Sequence, residues 1–291
     1  MSWRTVVVRS RAKIDLKMNY IVIRGGETRR IHISEVAVLM IESTAVSLTA
    51  GLLAELTRNK VKVIFCDEKR CPSSELVPYY GSHDSSGRVR EQINWKQNTK
   101  DNVWTEIVSE KIHQQSLLLK EMEHAEQAAL LQEYGQNVQI ADATNREGHA
   151  AKVYFNALFG MDFTRNGENA TNAALDYGYT ILLSAFSREI TAAGYLTQMG
   201  INHRSRFNHF NFASDLMEPF RPLVDRRVLQ MDPENLEHEE KMHLVNTLNE
   251  PVVIKERKQT VLNAIGIYCK SVFDALNNDD AEQICFYRYE L

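Results

Sequence analysis

The segment from Ile201 to Asp225, INHRSRFNHFNFASDLMEPFRPLVD, sets one imidazole, His203, near two carboxylates, Asp215 and Glu218, among aromatic, Asn and Arg side chains. One imidazole with several carboxylates is a ligand set for a hard divalent cation such as Mg²⁺ or Mn²⁺, and such ions commonly polarise a phosphoryl oxygen. The set lacks a distant third ligand. Glu147, in NREGHAAKVYFNALFG, fits that place, because it stands at the start of an amphipathic run marked by Ala150, Val153, Tyr154, Ala157 and Leu158. A helix fixes a side chain's direction better than a loop does. Each residue also has a plainer reading. A Glu in a first helical turn complements the helix dipole, and a lone His among aromatic and Asn residues serves as a satisfied structural group.

Asp215 and Glu218 lie three apart and share one face of a helix, but Pro219 and Pro222 require that helix to begin or bend there. Two nearby acids repel each other unless a cation neutralises them; a solvent-exposed cap is the alternative. His149 and His209 compete with His203. His149 lies two residues from Glu147, so on a regular helix it points elsewhere, toward DNA or toward support of a ligand. In LDYGYTILLSAF, Tyr177 and Tyr179 flank Gly178. A helical Gly costs about 1 kcal/mol relative to Ala, offset either by close helix packing or by a role for the tyrosine hydroxyls at a DNA phosphate. There is no Walker phosphate loop or GxGxxG fingerprint, and no serine elbow.

These groups need elements to hold them, and 291 residues at 44% hydrophobic content suffice for one large domain or two ordinary ones. From Trp3 to about Tyr80 the chain reads as short strands: TVVV, KIDLK, YIVIR, RRIHI and VAVLMI, then VKVIF. Gly25-Gly26 predicts a hairpin with positive φ, and Asn19 the turn before it. SLTAGLLAELTRNK predicts one helix with Ser47 as N-cap. CPSSELVPYYGSHDSSGR reads as a linker with one short strand at its centre and marks the domain boundary. Beyond Arg88 the pattern is helical. One or two long helices span Ile93 to Tyr134 and end at Gly135; others start at Arg146, at Asn172 and near Ser214. The tail from Pro251 supplies a last helix, with Val261, Leu262, Ile265, Tyr268 and Val272 on one face. The fold class is therefore α+β: a small N-terminal β-rich domain over residues 1–80, joined to a larger all-α C-terminal domain over residues 81–291.

No apolar run approaches the ~20 residues that cross a bilayer, and MSWRTVVVRSRAK lacks the apolar core and cleavage site of a signal peptide, so a soluble, cytoplasmic protein is expected. Cys66, Cys71, Cys269 and Cys285 form no CxxC pair and are expected as reduced thiols. The net charge of −4 hides a basic excess in the first 70 residues and an acidic excess beyond them. Nucleic-acid binding then relies on local basic strips rather than bulk attraction.

The residues around Glu147, the stretch NAALDYGYTILLSAFSRE from Asn172 to Glu189, and the segment from His203 to Asp225 together resemble the CRISPR adaptation integrase, the metal-dependent first Cas family. WRTVVV, VKVIFCDEKRCP and PYYGSHDSS also resemble the version of that family found beside the single-protein effector nuclease of type II systems, so the resemblance spans nearly the whole chain. It implies Glu147, His203 and Glu218 as metal ligands and catalytic residues, with Asp215 an accessory acid. Many members of the family place Asp where this chain has Glu218, a carboxylate carried outward by about one methylene. Arg146, His149, Tyr177 and Arg221 are the candidate DNA contacts. The implied activity is insertion of new spacer DNA into a CRISPR array by transesterification, together with endonuclease activity. A non-catalytic DNA-binding assembly subunit and a small-molecule hydrolase are the rival readings. The implied partners are double-stranded DNA, a second copy of this chain paired through the β-rich domain, and the small second Cas protein in a heterohexamer. The type II effector nuclease and a DNA-end-binding adaptation protein complete the set.

Overall fold

The structure, a computed structural model, describes residues 4–79 and 82–289; Trp3, at the head of the first expected strand, and Tyr80–Gly81, within the expected linker, lie outside the described residues. The chain divides into two compact units, Met1–Arg88 with Ser187–Tyr195, and Val89–Phe186 with Leu196–Leu291.

In the first unit the strands are β1 (Arg4–Val8), β2 (Ala12–Lys17), β3 (Tyr20–Arg24), β4 (Thr28–His32), β5 (Val36–Ile41), β6 (Val46–Leu48), β7 (Lys62–Cys66) and β8 (Pro72–Leu76), with helix α1 (Ala50–Arg58) before β7. One sheet has the order β1-β5-β7-β8 and the other β4-β3-β2-β6. β5 lies between parallel neighbours β1 and β7 and is buried at every position, which is why VAVLMI is continuously apolar rather than alternating. Ile14, Ile21, Val36, Leu39, Val63 and the α1 residues Leu52 and Leu56 form its core, all fully buried.

Three local expectations are corrected here. The N-cap of α1 is Thr49, whose Oγ1 accepts from Leu52 N at 3.3 Å. Ser47 is instead drawn into β6, which pairs with β2. Gly25 and Gly26 do not use positive φ; among the described glycines only Gly160 and Gly194 do. The longer β3–β4 connection does not demand it, whereas the two-residue turn between β2 and β3 does, and Met18 (φ 49°) and Asn19 (φ 65°) supply it. The strand in the expected linker lies at its start, because β8 pairs with β7.

The second unit is mostly helical: α2 (Ser85–Asn94, beginning in the first unit), α3 (Gln97–Glu121), α4 (Ala125–Gln136), α5 (Arg146–Phe159), α6 (Ala170–Ala192, ending in the first unit), α7 (Asn211–Met217), α8 (Arg221–Met231), α9 (His238–Val245) and α10 (Val261–Asn278). The long helical stretch breaks at Glu123 (φ 64°), and Gly135 lies inside α4. Pro251 does not open a helix. β9 (Pro251–Ile254) and β10 (Arg257–Thr260) form a hairpin turned by Lys255 and Glu256, both at positive φ, and α10 follows with Thr260 as its cap. The axis of the unit is α3, which touches α4, α5, α7, α8 and α10. Val103, Trp104, Ile107, Val108, Ile112, Leu118 and Leu119 are buried around its circumference, as a helix enclosed on most sides requires.

Gly178 is explained by packing. A Cβ there would lie 2.4 Å from Val224 Cγ1 and 3.2 Å from its Cγ2, and Val224 is β-branched and cannot turn aside cheaply. Gly178→Ala should therefore lower unfolding stability by about 1–3 kcal/mol despite Ala's better helix propensity, which a urea titration measures; unchanged stability would mean that α6 and α8 do not approach this closely.

Candidate metal centre

Glu147 enters the site from the first turn of α5, and an unusual turn aims it. Ala141, Asp142 and Asn145 all have positive φ without being glycine, a conformation that persists only where surroundings enforce it. Asp142 does so: its carboxylate accepts from Arg146 N at 2.7 Å and Glu147 N at 3.0 Å, capping the helix. Thr105 of α3 accepts from Ala141 N at 2.9 Å and ties the turn to the central helix.

His203 is fixed by Asp215, which is fully buried. The Asp215 carboxylate accepts backbone N–H bonds from Ile201 at 2.7 Å, Asn202 at 3.1 Å and His203 at 3.0 Å, and a side-chain bond from His203 Nδ1 at 2.5 Å. The loop closes this tightly only because residue 200 is Gly, since a Cβ there would lie 2.5 Å from the His203 carbonyl oxygen and 2.6 Å from Asp215 Oδ2. With Nδ1 committed to a carboxylate, the neutral ring presents an unprotonated Nε2, the arrangement typical of a ligating histidine. The Asp215 hydrogen bond raises the His203 pKa, partial burial opposes it, and the charges of Asp215, Glu218 and Glu147 add to the rise. The ring packs against the edge of Trp104, with centroids 5.8 Å apart.

Glu218 ends α7 and begins the 3₁₀ turn Glu218–Phe220. It is buried and paired on both sides. Arg221 Nε donates to its Oε1 at 2.8 Å, and the Lys111 ammonium forms an ion pair with Oε2. Burial pushes the carboxyl up, but Arg221 and Lys111 outweigh it and hold Glu218 at about 2. The same ammonium donates to Glu147 Oε1 at 2.6 Å. Two carboxylates distant in sequence thus meet on one cation. Among the described residues, no three His, Cys, Asp or Glu side chains converge closely enough to hold an ion as they stand, and the Lys111 ammonium contacts both Glu147 and Glu218. The donor set still suits Mg²⁺ or Mn²⁺: two carboxylates that share one cation, and an imidazole turned by Asp215.

The remaining candidates sit around this centre. Arg221 stacks over Tyr179, 4.5 Å from its centroid, in addition to its bond to Glu218. Arg146 lies over the Tyr134 ring at 5.1 Å, and the exposed His149 tilts against the same ring. Tyr177 is buried, with Lys241 over its ring, and offers no open surface to a phosphate. Tyr179 and Tyr154 both donate to the buried Asp225. Burial raises the Asp225 carboxyl to about 6, against those two hydrogen bonds. Lys111 and Asp142 escaped the sequence reading. A lone lysine within IVSEKIHQQSLLL was the available signal for the first, and an acid before the Asn-Arg-Glu start of α5 for the second.

Comparison with known proteins places this geometry in a family. The family model for CRISPR associated protein Cas1 matches residues 5–265. The CRISPR-associated endonuclease Cas1 of Neisseria meningitidis serogroup C (strain 8013) is 33% identical over 290 residues, 98% of this chain and 95% of that one. Among solved structures, a casposase bound to integration product superposes with a TM-score of 0.77 at 16% identity, covering 100% of this chain and 95% of that one. A chain of a Cas6-RT-Cas1–Cas2 complex gives 0.75 at 18% identity, covering 97% of this chain and 36% of that longer one. Matched along nearly its whole length by family and relative alike, the chain belongs to the Cas1 family of CRISPR-associated proteins.

Proposed function

We propose that this protein is a divalent-metal-dependent DNA integrase and endonuclease that inserts spacer DNA into a CRISPR array. The observation that carries the reading is the convergence of Glu147 and Glu218 on one cation, with the Asp215-oriented His203 within reach of both charges. The relative's designation as an endonuclease and the casposase bound to integration product support the chemistry.

Glu147, Glu218 and His203 Nε2 would hold Mg²⁺ or Mn²⁺, which supplies Lewis-acid charge for a phosphoryl oxygen when bound. The reaction is a phosphodiester exchange. The 3′-hydroxyl of the incoming fragment attacks phosphorus at a repeat edge, and the oxygen of the broken linkage leaves as an alcohol, so no ATP is consumed. Nicking is the same displacement with water in place of the hydroxyl. Asp215 keeps the His203 proton on Nδ1, and Arg221, stacked on Tyr179, keeps Glu218 ionised and fixed in direction. Arg146 and His149 line the approach to Glu147 as DNA contacts.

Two strands are joined at separated positions, so the working unit has at least two copies of this chain. Pairing runs through the β-rich domain, whose sheets leave β4 and β6, and β1 and β8, as edge strands. A small second Cas protein bridges two such dimers as a heterohexamer in this reading, and the Cas1–Cas2 complex among the similar structures supports a second Cas protein as partner. Work beside a type II effector nuclease and a DNA-end-binding adaptation protein, in the cytoplasm, completes the proposal. Among the described residues no helix is long and apolar enough to cross a membrane.

Integration of a fragment with free 3′-hydroxyl ends into a supercoiled repeat-bearing plasmid, with the second Cas protein present, tests the reading. Covalent joining is expected with Mg²⁺ or Mn²⁺ and none with EDTA. Metal-independent DNA binding without joining would instead identify a non-catalytic assembly subunit.

A further inference from the structure

We propose that Lys111 is a built-in counter-cation that occupies the ion's place between Glu147 and Glu218, and that it must move onto a DNA phosphate for the divalent ion to bind. The inference rests on the metal reading above and concerns how that site loads.

The charges around this point already balance. Glu147 and Glu218 bring two negative charges, while Lys111, from the central helix, and Arg221 bring two positive ones. Asp215 is taken up by three backbone N–H groups and His203. A dication added to this neutral cluster would meet an ammonium within a few ångströms, in surroundings where like charges repel strongly. Lys111 is also buried, and its only ion-pair partners among the described residues are these two carboxylates. A displaced lysine charge therefore needs a new anion, and at a phosphodiester-exchanging site the nearest is the substrate backbone. The free protein then binds metal weakly, and DNA strengthens the binding by giving Lys111 somewhere to go. Such coupling would keep the nuclease unloaded away from its target.

Manganese binding by the intact protein, read as loss of the free Mn²⁺ paramagnetic-resonance signal, tests this without activity. Lys111→Met should bind Mn²⁺ roughly ten-fold tighter than wild type without DNA, since a blocked site weakens apparent affinity by its open fraction. A duplex with 3′-dideoxy ends should tighten wild type more than the variant and narrow that gap. Lys111→Gln, whose amide can still donate to both acids, should behave like Met and covers a failure of the Met variant to fold. After bound metal is stripped with EDTA and the chelator dialysed away, added Mn²⁺ should raise the melting temperature of either variant more than that of wild type. Equal or weaker Mn²⁺ binding in both variants, with binding still lost in His203→Ala, would overturn the lysine's role and leave the metal site standing. No stoichiometric Mn²⁺ binding in any form would overturn both.

Discussion

His203→Ala should lower strand transfer by about a thousand-fold while leaving the folded protein almost untouched. The ring's side chain is 41% exposed, and its one strong bond is to Asp215, which would still accept three backbone N–H bonds. The role proposed for the imidazole is chemical, and its removal should cost little structure. Glu218→Ala should abolish transfer equally but for a mixed reason. It strips the buried Lys111 of one partner and leaves Arg221 Nε without its acceptor, and breaking a buried pair costs about 3–5 kcal/mol. Glu147, at 25% side-chain exposure, falls between the two. Plasmid integration and thermal melts on the three variants check the ordering. Full activity in His203→Ala would exclude the proposed centre.

Asp215→Ala should destabilise the protein as much as Glu218→Ala, although Asp215 is proposed to bind no ion directly. Four donors point at a carboxylate with no solvent access, and removing it leaves the turn Ile201–His203 with N–H groups lacking their acceptor. About 3–5 kcal/mol of stability should go with it, together with strand transfer. Asp215→Asn separates the two effects. It preserves shape and much of the turn but loses the charge that holds the His203 proton on Nδ1. Transfer should then fall by about ten- to a hundred-fold, with a smaller loss of stability. Denaturant unfolding beside the integration assay measures both, and an Asn variant with unaltered transfer would show that the orientation of His203 does not matter.

The division into a β-rich first part and a mostly helical second part was legible because VAVLMI runs apolar over a strand's length, and the α5 sequence carries a helical period that tertiary context does not override. Edges were less legible. Ser47 and Thr49 are equally good caps by type, and the choice fell to strand pairing between β2 and β6. Pro251 opens a hairpin because Lys255 and Glu256 adopt left-handed conformations that nothing in their side chains announces.

The site followed the same division. His203, Asp215 and Glu218 stand close together in sequence, and their types announce a centre. The structure gives them unlike tasks: Asp215 gathers the His203 loop, while Glu218 turns to Lys111 and Arg221. Lys111 was not legible because it lies far from the acids in sequence, and only the packing of α3 against α5 and the Glu218 turn brings the charges together.

Glu147, His203 and Glu218 are proposed to close on a single divalent ion at the DNA. Anomalous diffraction at the manganese edge, from crystals of the protein with a 3′-dideoxy duplex and Mn²⁺, tests it most directly. One peak is expected within about 2.5 Å of a Glu147 oxygen, a Glu218 oxygen and His203 Nε2, with Lys111 turned to a phosphate. A peak elsewhere, or Lys111 still lying between the two carboxylates in the DNA-bound crystal, would contradict it.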